Sequence, residues 1–401
     1  MKNSGFDCLG RNPQAVPMRF TRLKLKNWRN FTRVDLAIGE RLFITGPNAS
    51  GKSNLLDAFR FLRDIAKNGG GLQEAVAMRG GLAKLRCLAA RRDPNVEIEV
   101  ELTDSDANGS VVWRYGIGLK QETRGMRRVL LTHEKVWKDG CLILDRPDKA
   151  DSSDDLRLTQ THLEQINANQ DFRPLAEVFQ RILYLHLVPQ LLKFPQLANR
   201  EAIGEDPFGI KFLDRLMETP EKTRRSRLKK IENALRLAVP ELQELRDVRD
   251  ARGVPHLEAV YQHWRPNAGR QREDQFSDGT LRLIGLLWTL LDGEHLLLLE
   301  EPELSLHSSI VAKLPEIIWR MQRSRKRQVL VSSHSSELFG DLGIAAQEVA
   351  LLKPQGSEGT EVELASNQEN IRRLLEGGMS IAEAVLPITA PGSVSQLALF
   401  D

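Results

Sequence analysis

Cysteine is scarce: the 401 residues hold three, Cys8, Cys87 and Cys141, and none stands in a Cys-x-x-Cys pair. That scatter argues against a thiolate zinc site or a disulfide framework and fits a reducing cytosol. Long apolar runs are missing too. No stretch approaches the length that spans a bilayer, and the polar N-terminus does not read as a signal peptide, so no membrane partner is expected. A strong charge of one sign is also absent. The 57 basic and 54 acidic residues leave a formal net charge of +3, too little to establish nucleic-acid binding. Basic residues cluster locally instead, at Arg91-Arg92, at Arg124 with Arg127-Arg128, at Thr223–Lys230 and at Arg323–Arg327. Each cluster alone reads as a solvated helix face; several together leave a polyanionic partner open. What remains, 41% hydrophobic and 28% charged residues, is an ordinary globular composition able to bury a substantial core. The length fits one large domain with insertions or two domains.

The residues before Met18 show no periodicity, whereas MRFTRLKLKNW after it alternates as a strand does. Residues 1–17 are therefore expected to be a disordered extension or a mis-assigned start. The strongest signal follows in RLFITGPNASGKSNLLDAFRFLRDIA. Leu42–Thr45 reads as a short buried strand, and Ser53 to Ala66 as a helix. Between them Gly46, Pro47, Asn48, Ala49, Ser50, Gly51, Lys52 and Ser53 fit G-x-x-x-x-G-K-S in the strand–loop–helix context that motif requires. The glycines let the backbone curl so that successive N–H groups face phosphates, and the helix N-terminus adds positive potential. The motif therefore predicts nucleotide binding by residues 46–54, Asn54 included. Lys52 is expected to reach the β- and γ-phosphates of ATP, and the Ser53 hydroxyl to take a Mg²⁺ position.

Far downstream, Leu296–Leu299 runs into Glu300-Glu301-Pro302-Glu303. Four leucines in a row suit a strand buried on both faces of a parallel sheet, and ligands bind at the C-terminal ends of such strands. Glu300 is expected to hold Mg²⁺ through water, and Glu301 to polarise an attacking water as general base. Upstream, Phe276–Thr280 precedes the helical pattern LRLIGLLWTLL. Ser277 or Asp278 would cap that helix, and a capped N-terminus carrying Gly279 is also a second phosphate-binding surface. Beyond the acids, Gln328–Ser333 is β-rich and leads into His334. That histidine closes the next expected strand and reads as a γ-phosphate contact.

The ordered set resembles the ABC-type ATPases of the RecF/SMC branch, most of all the stand-alone bacterial ATPases related to the OLD family. LKLKNWRNFTRVDLAIGERLFITGPNASGKSNLLDAF looks like that branch's opening strand pair and phosphate loop. FSDGTLRLIGLLWTLL, LLLLEEPELSLH and VLVSSHSSELF look like its signature, Walker B/D-loop and switch-histidine segments, and IRRLLEGGMSIAEAV like its closing helix. The resemblance implies an α/β P-loop NTPase fold: a mixed sheet, an antiparallel β lobe and a helical insertion. It implies a head-to-tail homodimer in which ATP lies between one subunit's phosphate loop and the other's signature, so that Ser277 and Gly279 contact the nucleotide in trans. Two departures stand out. The transporter-type Leu-Ser-Gly-Gly-Gln is absent, with Asp278 and Thr280 in its place, and Glu300 stands where most such ATPases carry Asp. Both fit slow, switch-like hydrolysis. The family's Q-loop glutamine has no clear place; Gln73, in GGGLQEAVAMRGG, is a candidate.

The domain plan is an ATPase domain over 18–388, with an antiparallel β lobe at 96–145 and a helical lid or arm at 190–265. The pattern is charged and helical through residues 206–247, and RILYLHLVP is expected to return to the main sheet. No TOPRIM-like nuclease is expected after the ATPase, so a nuclease under this protein's control is expected to be a separate chain. The tail, 389–401, is a Pro/Gly/Ser linker ending in Gln396-Leu397-Ala398-Leu399-Phe400. It looks like the peptide by which bacterial DNA-processing proteins dock on the sliding clamp. Leu397, Leu399 and Phe400 would supply the apolar contacts and Gln396 the orienting hydrogen bonds, unless the tail packs on its own domain. The expected function is an ATPase of DNA metabolism recruited to the clamp. The alternative is the ATPase sensor of a phage-defence module that controls a separate nuclease or toxin.

Overall fold

The computed structural model describes residues 18–90, 93–104, 111–122, 125–194, 208–209, 211–265 and 269–389. The N-terminal segment 1–17, Arg91-Arg92, Arg124 and the clamp-like peptide Gln396–Phe400 lie outside them.

The central sheet is built from short apolar runs. Its strands are β3 (Arg41–Thr45), β8 (Leu183–Leu185), β12 (Leu297–Glu300), β13 (Val329–Ser332), β14 (Val349–Pro354) and β15 (Thr360–Leu364), in the order β15-β14-β3-β13-β12-β8. All neighbours pair in parallel except β15, which closes the edge antiparallel to β14. Burial on both faces explains the continuous apolar sequence. Alternate side chains enter two separate cores. Leu42, Ile44, Leu298 and Leu330 pack into one, with Phe59 and Leu62 of the helix Lys52–Ala66. Phe43, Leu297, Leu299 and Val331 pack into the other, with Ile284 and Trp288 of the helix Asp278–Leu291. Each fully buried Leu or Phe contributes about 1.5–3 kcal/mol, so the sheet is clamped between two helix layers.

A second sheet of six antiparallel strands forms the lobe. It comprises β1 (Met18–Trp28), β2 (Phe31–Ala37), β4 (Val96–Asp104), β5 (Val111–Gln121), β6 (Val129–Lys138) and β7 (Cys141–Arg146), in the order β2-β1-β4-β5-β6-β7. The lobe is therefore wider than residues 96–145: the opening hairpin β1–β2 belongs to it. Together the two sheets and their helices give the expected α/β fold class, with mixed and antiparallel sheets and helical insertions.

The insertion at 190–265 differs from the purely helical reading. Helices Phe212–Glu218 and Glu221–Ala238 are present, but Pro240 follows the second. The chain then enters β9 (Leu242–Arg249), which pairs with β10 (Pro255–Tyr261) and β11 (Arg270–Arg272) in the order β11-β10-β9. The misleading signal was the three-residue spacing of Leu242 and Leu245, which suits a helix. A register shift opposite Val260/Tyr261 gives β9 an extra residue, so both leucines turn inward. The closing segment IRRLLEGGMSIAEAV is not one helix: Glu369–Glu376 ends at Gly377-Gly378, and a second helix runs Ile381–Thr389. Among the described residues, no helix is long and apolar enough to cross a membrane.

Candidate functional site

The phosphate loop hangs between β3 and the helix that begins at Lys52. Ala49 and Gly51 adopt left-handed backbone, at φ 62° and 100°. A side chain at Gly51 would collide with Asn30, and a Cβ at Gly46 would lie 2.7 Å from the Leu352 carbonyl oxygen. Glycine is needed at both places for space, and at Gly51 also for its conformation. The turn of the β1–β2 hairpin holds the loop from outside. The Asn30 amide donates to the Ser50 carbonyl at 2.7 Å and to the Thr360 hydroxyl at 2.8 Å, and accepts from Asn54 at 2.8 Å. The Trp28 indole N–H donates to the Asn54 carbonyl at 2.8 Å. Lys52 crosses the loop, its ammonium donating to the carbonyls of Gly46 at 2.9 Å and Pro47 at 3.1 Å. Burial lowers the Lys52 pKa, while Glu301, Glu300 and Glu303 act in the opposite sense.

The acids arrive on the end of β12, beside β13. Ser53 donates its hydroxyl to one oxygen of Glu300, and Tyr184 donates its own to the other. Burial, then Glu300 itself, push the Tyr184 hydroxyl far above the usual phenol range, so it stays a donor. Glu301 is left-handed at φ 44°, and its carboxylate lies 3.6 Å from Nδ1 of His334. Glu303 is buried and accepts from the Ser333 hydroxyl at 2.6 Å and the His334 N–H at 3.4 Å. Burial raises its pKa. The structure thus brings Lys52, Ser53, Glu300, Glu301 and His334 to one end of the central sheet.

Several polar atoms there are buried without a partner: the hydroxyls of Thr45, Ser50 and Ser332, and one oxygen of Glu303. A triphosphate with Mg²⁺ fits this chemistry. Mg²⁺ takes one or two protein oxygens and completes its shell with water and phosphate, and Ser53 with Glu300 is such a pair. The described residues contain no group of three or more His, Cys, Asp or Glu able to hold a metal ion.

The signature segment opens the helix Asp278–Leu291. Ser277 caps its helix, accepting from the Thr280 N–H at 3.1 Å. A Cβ at Gly279 would lie 2.5 Å from the Ser305 carbonyl oxygen, so this helix start is pressed against the turn after β12. Asp278 is tied down by Gln190 and Lys193, each at 2.6 Å. Among the described residues, neither Ser277 nor Gly279 hydrogen-bonds to residues 46–54. Gln73 is a correction. Its side chain donates to the carbonyls of Val129 at 2.9 Å and Thr159 at 2.7 Å, bracing the lobe rather than facing the loop. The roles of Tyr184, Glu303, Asn30 and Thr360 escaped the sequence reading, although Glu303 stands in the acid run, Asn30 in the opening strand pair and Tyr184 in the strand-like YLHL.

A family model described as "AAA domain, putative AbiEii toxin, Type IV TA system" matches residues 42–340, and one described as "P-loop containing region of AAA domain" matches residues 20–62. The DNA replication and repair protein RecF of Clavibacter sepedonicus is 33% identical over 93 residues, 22% of each chain. RecF of Brucella abortus is 44% identical over 57 residues, 14% of each chain. The chromosome partition protein Smc of Cereibacter sphaeroides is 43% identical over 65 residues, 15% of this chain and 6% of that one. The chain thus spans less than a quarter of the length of the curated relatives it matches. An SMC head solved with the C-winged helix domain of ScpA superposes with a TM-score of 0.50 at 14% identity, covering 86% of this chain and 96% of that one. That likeness is one of fold. The family model covers most of the chain, and the chain belongs to this family of P-loop AAA-type ATPase domains, related to RecF and SMC proteins.

Proposed function

We propose that the protein is the ATP-hydrolysing switch of a genome-defence module, passing its nucleotide state to a separate nuclease or toxin. The observation that carries this reading is the match of a toxin–antitoxin ATPase family over residues 42–340, which contain the whole cluster of Lys52, Ser53, Glu300, Glu301 and His334. In this reading residues 46–54 cradle the phosphates, Lys52 neutralises them, and Ser53 with Glu300 holds Mg²⁺. Glu301 takes the proton of the attacking water, and His334 stands beside it at the γ-phosphate. Ser277 and Gly279, which make no hydrogen bond to their own loop among the described residues, close over the nucleotide of a second copy. ATP then joins two chains and hydrolysis parts them. Light scattering of Glu301→Gln tests this. With ATP and Mg²⁺ a dimer is expected that ADP does not support; a monomer under both conditions would sink the trans arrangement.

A second reading, replication-associated DNA metabolism, is supported by the RecF likenesses and by Gln396–Phe400. Calorimetric titration of the source bacterium's sliding clamp with the full chain, and with the chain ending at Ser393, decides it. Binding lost on truncation supports clamp recruitment; no binding by the full chain removes it.

A further inference from the structure

Tyr184 belongs to no motif, yet it touches the proposed metal carboxylate. It lies on β8 opposite Leu298 of β12, on the strand face that Glu300 shares two residues further on. Two residues of strand advance about 6.6 Å, a distance a tyrosine side chain spans, so the phenol lying along the strand ends at Glu300. Its hydroxyl occupies one carboxylate oxygen while the other faces the Ser53 hydroxyl. The Arg60 guanidinium covers the ring, 4.1 Å from its centroid. Arg60 follows Ser53 by two helical turns and so shares its face of the helix. Asp57, one turn back, lies 3.8 Å from Arg60. The contacts close a ring: Ser53 to Glu300, Glu300 to Tyr184, Tyr184 to Arg60, and Arg60 through the helix back to Ser53.

We propose that Tyr184 is the positioning residue of the metal site, holding one oxygen of Glu300 so that the other is presented at Ser53 to the Mg²⁺ of bound ATP. The inference rests on the nucleotide-site reading above. Its physical reason lies in the length of the acid. A glutamate has one more torsion than an aspartate and can swing away from the metal or turn both oxygens to it. Mg²⁺ tolerates little departure from octahedral geometry, so a carboxylate pinned through its second oxygen is the better ligand. The longer acid here reaches Ser53 and Tyr184 together. Arg60, lying on the ring, fixes the direction from which the hydroxyl donates.

The test is Tyr184→Phe in the full chain, which removes the hydroxyl and leaves a ring under Arg60. Binding of a fluorescent ATP analogue is followed against Mg²⁺ concentration and again in EDTA, beside a thermal melt. Partners of this kind set metal affinity by about 10–100-fold, so the half-saturating Mg²⁺ should rise about 10-fold. Affinity in EDTA and the melting temperature should not move. Glu300→Asp, too short for Tyr184, should show a similar rise, and the double variant should add little to it, since the two changes break one contact. An unchanged Mg²⁺ requirement in Tyr184→Phe, or fully additive effects in the double variant, overturns the proposal. So does a matching loss of affinity in EDTA, which would mark a merely structural tyrosine. A wild-type protein that binds the analogue with no Mg²⁺ dependence would remove Glu300 as a metal ligand and this proposal with it, whereas no binding of the analogue at all would remove the nucleotide-site reading.

Discussion

Two buried polar clusters in this molecule are finished to different degrees. In the lobe, Arg146 is almost wholly buried and spends every donor of its guanidinium. Two go to Asp151, one to Glu134, and one each to the carbonyls of Gln160 and Arg157, all at 2.9–3.0 Å. Glu134 also accepts from the Tyr115 hydroxyl and from the N–H groups of His162 and Leu163. At the end of the central sheet, by contrast, the Thr45, Ser50 and Ser332 hydroxyls and one Glu303 oxygen are buried unpaired, and Ala49, Glu301 and Ser305 are held left-handed. A buried unpaired polar group costs about 1–3 kcal/mol, and a strained non-glycine backbone a similar amount. A cluster that satisfies itself serves the fold. One that leaves donors, acceptors and strain concentrated at strand ends is completed by something from outside, and here by nucleotide.

The sharpest way to break this contrast is at the site. Glu301→Gln should lower ATP turnover by about 10²–10⁴-fold with nucleotide binding retained, read as phosphate release beside equilibrium binding. Turnover at the wild-type rate would remove Glu301 as the base. In the lobe the expected loss is of stability. Arg146→Ala leaves the buried Glu134 without its counter-ion and Asp151 with Arg157 alone, and should cost about 3–5 kcal/mol in urea unfolding. Its pH dependence has a definite sign. Hydrogen bonds from Arg146 hold the Asp151 pKa well below the usual carboxylate range. The stabilisation is therefore complete above the unfolded value of about 3.9 and is lost as pH falls through the lower, folded value. The gap between wild type and variant should close only in strong acid.

Smaller changes sharpen the comparison. Gly51→Ala forces a side chain into left-handed backbone against Asn30 and should cost about 1–3 kcal/mol, with weaker nucleotide binding. Ser50→Ala removes an unpaired hydroxyl instead. The melting temperature of the nucleotide-free protein should stay level or rise, by no more than about 1 kcal/mol in stability, while the increment gained on adding ATP and Mg²⁺ shrinks. A destabilised nucleotide-free protein would show that Ser50 already has a structural partner.

Legibility in the sequence follows the same division. The phosphate loop and the acid-tipped strand could be read because their chemistry needs particular residues side by side in the chain. The fold class followed, since both motifs presuppose a parallel sheet. What supports the site could not be read, because its partners are distant. Asn30 meets Thr360 across 330 residues, and Tyr184 meets Glu300 across 116. Such pairs depend on strand register, which short apolar runs such as LYL and LLLE do not announce. Gln73 misled because an exposed glutamine near a glycine-rich turn suits a phosphate sensor and a backbone brace equally well. In β9 the spacing of Leu242 and Leu245 pointed to a helix because a bulge alters the period.

Hydrogen–deuterium exchange of the full chain, with and without ATP and Mg²⁺, tests the central claim most directly, because it reads local completion of structure residue by residue. The account predicts added protection at residues 46–54, at the end of β12 through Ser305, and at Ser332–Ser335, with none at Glu134, Arg146 and Asp151. Protection in the lobe without change in the phosphate loop would contradict it.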